Sequence, residues 1–397
     1  MKKNSIVLAF SGGLDTSFCL KYLMNESHFE VYSAVVNTGG FSEIELEQIK
    51  DKAVKLGAKK HVTLEETENY YNNIIKYLIY GNVLKNNTYP LSVSAERIFQ
   101  AISLAKYAQS IGAKYIAHGS TGAGNDQVRF DLIFQLIAPE IKIITPVRDL
   151  QLSRDAEIEY LSKQGVVVDW KKAQYSINKG LWGTSVGGVE TLTSHQELPS
   201  EAYPSQLEET TPKNLTIEFE KGEIIAVDGI KMKAVNAIQH IELVANKYAI
   251  GRDVHVGDTI IGIKGRVGFE AAASAVIIKA HHTLEKHTLS KWQLHWKDQL
   301  ANWYGMFIHE AQYFEPVMRN IEKFLSDTQT NVSGKVNLEL HPYRFTIKGI
   351  ESEHDLMTSD FGEYGEINKN WSGDDVKGFT KILANSMQIF NHVNQKQ

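Results

Sequence analysis

Residues 5–17 read SIVLAFSGGLDTS. Ile6 to Phe10 form a short, wholly apolar run, the pattern of a strand buried on both faces. Gly12 and Gly13 follow, and glycine lets a backbone turn sharply with φ > 0. Then TSFCLKYLMNE (16–26) takes helical spacing, with Phe18, Leu20, Leu23 and Met24 available for one face. A buried strand, a glycine turn and a helix make an anion cradle: N–H groups of Gly12, Gly13, Asp15 and Thr16 point at one place, and the helix terminus adds partial positive charge. Ser11, Thr16 and Ser17 offer hydroxyls. The loop is not a Walker A loop, because no lysine ends it. The blander alternative is a turn capped by Asp15 or Ser11. Asp15 would repel a phosphate, but it can cap the helix or hold Mg²⁺ through water.

Working outward, EVYSAVV (30–36), HVTL (61–64), KYIAHG (114–119) and KIITPVRDL (142–150) read as further strands. Helices are expected over 43–57, stopped by Gly57, and over about 95–111. Strands alternating with helices imply a parallel α/β sheet, whose ligands sit beyond the carboxyl ends of the strands. The turns at 11–17 and 119–126 both fall there. The alternation stops near 165. QELPSEAYPSQLEETTPKN (196–214), with three prolines, reads as a linker, followed by a β-rich stretch and by long helices at about 284–325. Residues 374–393 place Phe379, Leu383, Met387 and Phe390 on one stripe, which either packs on its own domain or clasps a neighbouring subunit. The expected division is a nucleotide-binding domain over 1–165, an α+β substrate-binding and oligomerisation domain over 166–370, and a C-terminal helix over 371–397.

At 397 residues, 43% hydrophobic and 22% charged, the chain has ordinary globular composition and room for two domains. Its net charge of -5 disfavours a nucleic-acid partner. A single cysteine, Cys19, excludes an internal disulfide framework and a Cys-rich zinc site; it reads as a small core residue. No apolar run reaches the roughly 20 residues of a membrane span, and the apolar run near the start is too short for a signal peptide. No membrane partner and a cytoplasmic location are expected. No dedicated metal centre is expected either: His281, His282, His287, His295 and His309 lack a supporting ligand cluster, and His118 reads as structural.

A second loop, HGSTGAGNDQVRFD (118–131), follows the strand at 114–119. Gly119, Gly122 and Gly124 allow close approach to a ligand. Asn125, Asp126 and Arg129 then set an amide, an acid and a guanidinium within one helical turn. Arg129 can grip a carboxylate with two donors and Asp126 can receive an ammonium, a set suited to an amino acid. A surface Asp–Arg pair is the plainer reading.

The pairing of AFSGGLDTS (9–17) with HGSTGAGNDQVRF (118–130) resembles the signature of the argininosuccinate synthase family, within the ATP-pyrophosphatase superfamily. The resemblance continues through YPLSVSAER (89–97), YSINKGLWGTS (175–185) and IGIKGRVGFE (261–270), so it covers nearly the whole chain. It implies that citrulline and ATP give a citrulline-adenylate and pyrophosphate, and that the amine of aspartate then displaces AMP. It implies ATP with Mg²⁺, a place in arginine biosynthesis and a homotetramer. Position by position, it assigns ATP binding to Ala9, Phe10, Ser11, Gly12, Gly13, Leu14, Asp15, Thr16 and Ser17, with Val36 and Gly119 near the nucleoside. Thr121, Asn125 and Asp126 match the aspartate site. Tyr89, Ser94, Asn125, Arg129, Ser176 and Ser185 match the citrulline site. The chemistry is expected to depend most directly on Ser11, Asp15, Asp126 and Arg129. No protein nucleophile is needed, because the ureido oxygen attacks the α-phosphorus; catalysis is positioning and charge stabilisation.

Four departures from the family pattern stand out. The family Glu of V-E-N-R falls on Gly257 and a family Tyr falls on Phe269; those two hold the α-amino end of citrulline. An acid pair becomes Asn178-Lys179-Gly180, and G-K-G becomes Gly122-Ala123-Gly124. Two expectations follow. Either Asp258 replaces the Glu and the substrate is plain citrulline, or the substrate is an N-acylated citrulline, such as N-succinylcitrulline, with Lys179 meeting the acyl carboxylate. The rivals from other classes are a tRNA-thiolating enzyme, opposed by the single cysteine and the acidic balance, and a non-catalytic ATP-binding relative.

Overall fold

The computed structural model describes residues 4–166, 175–358 and 370–395. The expected domain boundary at 165/166 abuts residues 167–174, which lie outside the described part.

The apolar opening run forms β1 (Ser5–Ala9), and the glycine turn leads into α1 (Leu14–Asn25). β2 (Glu30–Asn37) and α2 (Glu43–Leu56) follow. Helix α2 is closed at both ends by its own sequence: Ser42 and Glu45 form a reciprocal capping box, and Gly57 ends it at φ 104°. After β3 (Lys60–Glu65) come two short helices, α3 (Thr67–Tyr70) and α4 (Lys76–Tyr80), joined by a π turn at Tyr71–Ile75. The domain continues through α5 (Ser92–Ser110), β4 (Tyr115–Ala117), α6 (Asp126–Ile137), β5 (Lys142–Ile144), α7 (Pro146–Asp149) and α8 (Arg154–Lys163). The strand expected over 142–150 is therefore corrected to three residues. Pro146 cannot donate to a sheet ladder but fits the first turn of a helix, where no partner is needed.

These five strands pair in the order β3-β2-β1-β4-β5, all parallel. Both faces are covered, as the unbroken apolar run requires. Ile6 and Leu8 pack with Phe18, Leu23 and Ile49, while Val7 packs on the other face with Ile98 and Ile102. Cys19 is fully buried in the first of these cores, and burial pushes its thiol far above the ordinary range.

The second half opens with the hairpin β6 (Ser176–Gly180) and β7 (Gly183–Gly187). β8 (Lys213–Glu220), β9 (Glu223–Val227) and β10 (Ile230–Lys231) follow, then α9 (Ala234–Asn246), β11 (Arg252–Asp258) and β12 (Lys264–Glu270). The helices expected over 284–325 are three: α10 (Ala272–Thr288), α11 (Lys291–His309) and α12 (Pro316–Thr328). β13 (Gly334–His341), β14 (Arg344–Glu351) and α13 (Gly373–Asn394) complete the described chain. Two antiparallel sheets result, β10-β9-β8-β13-β14 and β11-β12-β7-β6. No helix among the described residues is long and apolar enough to cross a membrane.

Helix α13 has no buried residue: Phe379, Leu383, Met387 and Phe390 are 57–69% exposed. The option that it packs on its own domain is thereby excluded for the single chain.

Where the second half meets Tyr80 and Asn82 of the first lies a charged core. Lys297 and Glu285 are fully buried and 3.0 Å apart. Asn82 and Gln329 donate to the Glu285 carboxylate at 2.5 and 2.9 Å, and His281 bridges those two amides. Removing one partner strands the other charge out of water, which costs about 3–5 kcal/mol. Lys297→Met should therefore lower the denaturation midpoint sharply, and Lys297→Met with Glu285→Gln should recover much of the loss; chemical denaturation of the two variants measures both.

Candidate active site at the strand switch point

The sheet order reverses between β1 and β4, so the loops leaving their carboxyl ends diverge and open a crevice, the usual ligand position in such sheets. The two loops touch behind it. A Cβ on Gly119 would stand 3.2 Å from Asp15 backbone and side-chain atoms, so glycine lets the second loop lie against the first.

In the first loop Gly12 takes φ 78°, while Gly13 is extended and serves as the N-cap of α1. No side chain caps that helix. The reading of Asp15 or Ser11 as a plain cap is not realised, and the first-turn N–H groups stay open to an anion. Lys52 donates to the Gly12 carbonyl at 2.5 Å and steadies the turn from α2. Ser11 is exposed. Ser17, expected as a further donor, is fully buried and its hydroxyl donates to the Gly13 carbonyl at 2.7 Å; it braces the helix start. Phe10, Leu14 and Val36 are buried, so they can offer only backbone groups and apolar walls.

Behind Asp15 stands Glu157 of α8, within hydrogen-bonding reach. Burial pushes both carboxyls up; the negative charge of Asp15 adds to this at Glu157, which rises to about 8. Among the described residues no three His, Cys, Asp or Glu side chains form a metal cage. The donor set suits a Mg²⁺ held mostly by phosphate oxygens and water with one carboxylate, Asp15, beside it.

The second loop is held from below. Gln127 donates to the carbonyls of Gly122 and Gly124 at 2.6 and 3.2 Å. His118 accepts from the Ser120 N–H and its other nitrogen meets Asp131 at 2.9 Å, which fits the structural role expected for it. Thr121 is exposed in the crevice. Asp126 is gripped by two guanidinium groups, Arg97 at 2.9 Å and Arg129 at 2.8 Å. Burial alone would raise its carboxyl; Arg97 and Arg129 outweigh burial and bring it down to about 2. Arg129 is 4% exposed, with Nε donating to the His309 carbonyl at 2.9 Å and Nη2 without a partner. The Asn125 amide oxygen accepts from Ile260 N–H at 2.8 Å, which ties the loop to the other domain.

The sheet β11-β12-β7-β6 forms the opposite wall. Asn178 pairs with Ser185, Ser185 with Phe269, and Phe269 with Asp253. Alternate residues share a face, so Ser176, Ser185, Phe269, His255 and Gly257 lie on one side. Tyr89 stacks on His255 at 5.2 Å and tilts against Phe269 at 5.4 Å, which locates the nucleotide-domain side of this wall. Ser94 is buried nearby on α5, donating to the Leu91 carbonyl at 3.2 Å.

Two expectations are corrected here. Lys179 falls on the other face of β6, where it pairs with Glu45 at 3.0 Å, so it does not line this wall. Asp258 likewise falls on the face of β11 opposite Gly257. It is exposed, pairs with Lys264 at 2.5 Å and does not replace the missing family Glu.

The structure also brings in residues that the motifs did not single out. Arg97 joins Asp126, Glu96 at 2.9 Å and Asn178 at 3.3 Å. Glu96 is 1% exposed and accepts from Thr38 at 2.9 Å; burial pushes its carboxyl up to about 7 against the pull of Arg97. Both stand inside YPLSVSAER, and the Glu-Arg pair at its end was the available signal. Glu157, Lys85, His255 and His309 gave none, because their meaning depends on contacts far away in sequence.

A family model described as Arginosuccinate synthase N-terminal HUP domain matches residues 5–167, and one described as Arginosuccinate synthase C-terminal domain matches residues 175–390. Among curated proteins, the argininosuccinate synthase of Dictyoglomus thermophilum is 36% identical over 386 residues, 97% of this chain and 96% of that one. That of Methanocaldococcus jannaschii is 34% identical over 91% of each chain. That of Xylella fastidiosa is 33% identical over 100% of this chain and 99% of its own.

The Asp15–Glu157 pair gives a pH dependence with a definite sign. The folded Glu157 carboxyl lies above its unfolded value, so the folded chain holds that proton longer. Its contribution is complete below the ordinary carboxyl range, about pH 4, and is lost as pH rises towards about 8. Thermal unfolding midpoints should fall across that window for the wild type. Glu157→Gln should flatten the curve; a variant curve parallel to the wild type would remove this account of the pair.

Proposed function

Because this chain belongs to the argininosuccinate synthase family, whose members are C–N ligases consuming ATP, citrulline and aspartate, we propose the following division of labour around the crevice. The uncapped start of α1, with Gly12, Gly13, the exposed Ser11 and the partly buried Thr16, takes the phosphates of ATP. That open helix start is the observation that carries the reading, since it leaves several N–H groups for one polyanion. Ala9, Val36 and Gly119 border the nucleoside. Asp15 faces the phosphates, and bound Mg²⁺ would neutralise their charge. Thr121, Asn125 and Asp126 hold aspartate. Tyr89, Ser94, Arg129, Ser176 and Ser185 hold citrulline between the two domains.

In the first step the ureido oxygen attacks the α-phosphorus, the bond to the bridging oxygen breaks and pyrophosphate leaves. In the second the aspartate nitrogen attacks the ureido carbon, the carbon–oxygen bond to AMP breaks and the amine gives up its proton. The chain's contribution is to align these atoms. The Arg97–Asp126–Arg129 cluster is rigid through charge-assisted bonds, so Arg129 presents Nη2 at a fixed place. The relatives' common name favours citrulline itself; neither the acylated substrate nor a non-catalytic relative is favoured.

The test is isotopic. Citrulline labelled with ¹⁸O at the ureido oxygen should deliver the label to AMP, with pyrophosphate released in equal amount; label retained in the product would refute the adenylate route. Arg129→Lys should raise the KM for citrulline by about 10–100-fold, the effect of a lost charge-assisted bond, with a smaller change for ATP.

The assembly we propose is a homotetramer in the cytoplasm, with α13 lying on a neighbouring subunit. The support is the apolar stripe of that helix, exposed along its length in the single chain. Sedimentation of a chain ending at residue 370 should show a smaller species than the full chain; an unchanged assembly would refute the arm.

A further inference from the structure

The end of the crevice beside Gly257 is lined by one guanidinium, one ammonium and two imidazoles. Three side chains there are at least nine-tenths buried and each keeps a polar atom without a partner: Arg129 Nη2, His255 Nδ1 and His309 Nδ1. Most buried polar atoms are paired, so three unpaired ones in one place can each take a partner from a ligand or water. They belong to one place. Arg129 reaches the His309 backbone at 2.9 Å, Tyr89 carries His255 on its ring, and the backbone of Lys85 bridges that of Tyr89. A Cβ at position 257 would stand 2.6 Å from His255 Nε2 and 3.3 Å from Asn86 Nδ2. Glycine is therefore what admits the imidazole, and the imidazole stands where an acid side chain would otherwise begin.

Lys85 adds a further cation. It is half-buried, and among the described residues no carboxylate forms an ion pair with its ammonium. Burial pushes that ammonium down; Glu310 lifts it and Arg129 lowers it, which places both nearby. Burial, followed by the charges of Arg129 and Lys85, keeps His309 neutral. The acids nearest this end are already engaged: Asp258 faces away, paired with Lys264, Glu310 accepts from Gln312 at 2.9 Å, and Asp126 is shared between Arg97 and Arg129, while Asp253 shares the face of β11 two residues before His255 and is exposed. Beside Gly257 such a wall favours an oxyanion, and the carboxylate closest to Arg129 is already neutralised by two guanidinium groups.

Resting on the assignment of this region to citrulline, we propose that the enzyme recognises its ureido substrate through the carboxylate, with Lys85 and His255 acting beside Arg129, and that the α-ammonium adds little to binding. Lys85 is then a specificity-determining residue that no motif marks. Only the substrate charge that is read differs; the reaction is unchanged.

The experiment measures pyrophosphate release with Mg-ATP, aspartate and one of three compounds: citrulline, 5-ureidopentanoate, which lacks the amino group, and citrulline amide, which lacks the carboxylate. The expected kcat/KM for 5-ureidopentanoate lies within about 10-fold of citrulline, and that for the amide falls by about 100-fold or more. Lys85→Met should raise the KM for citrulline about 10-fold with kcat and the KM for aspartate little changed, and Lys85→Arg should restore it. Loss of 5-ureidopentanoate with retention of the amide would overturn the inference, as would a Lys85→Met enzyme with unaltered KM. If citrulline itself releases no pyrophosphate, the assignment of the reaction fails, and the inference with it.

Discussion

One carboxylate held between two guanidinium groups sets the geometry of everything around the crevice. Asp126 starts α6, Arg97 comes from α5 and Arg129 lies one turn further along α6. Desolvating three charges is costly, and it is offset only when each has well-aligned partners. Here Arg97 also bonds Glu96 and Asn178, and Arg129 bonds the His309 carbonyl. The same charges that bring Asp126 to a permanently ionised state thus fasten α5 to α6, and both to the hairpin β6–β7 and the end of α11. This wall of the crevice is held in place by electrostatics at its edge, in addition to the apolar packing beneath it.

The two walls of the crevice are made by different rules. On the nucleotide side, the chain reversal at β1 and β4 leaves glycine-rich loops that present backbone groups, so few side chains face the crevice. On the other side, an antiparallel sheet presents every second side chain. Ser176, Ser185, Phe269, His255 and Gly257 are brought together by register alone. Backbone recognition suits the constant part of the chemistry, the phosphates of ATP. Side-chain recognition leaves room for a pocket to be re-specified residue by residue.

Much of this was legible in the sequence where the signal is local. The run Ile6–Phe10 with its glycine turn announced a parallel strand followed by a turn into a helix, and HGSTGAGNDQVRF placed the second loop with its acid and guanidinium. The stop of α2 at Gly57 was equally readable. What failed was what depends on facing. Lys179 and Asp258 looked like pocket charges because they flank altered positions, but sheet alternation turns both away. Pro146 cut a strand short because a helix start could use it. The stripe on α13 was visible, whereas its lack of an intrachain partner was not. Lys85, His255 and His309 meet across more than 200 residues of sequence, a separation that no local pattern spans.

The alternation in β11 has a wider meaning. Gly257 and Asp258 are neighbours in sequence, yet one abuts the His255 ring and the other faces water beside Lys264. A one-residue slip of this strand would exchange them and carry a carboxylate to the place where His255 now stands. The polarity of the pocket is therefore stored as parity along a single strand. A lineage could invert which substrate charge it prefers by an insertion or deletion in the 259–263 turn region, with no change in the composition of the strand.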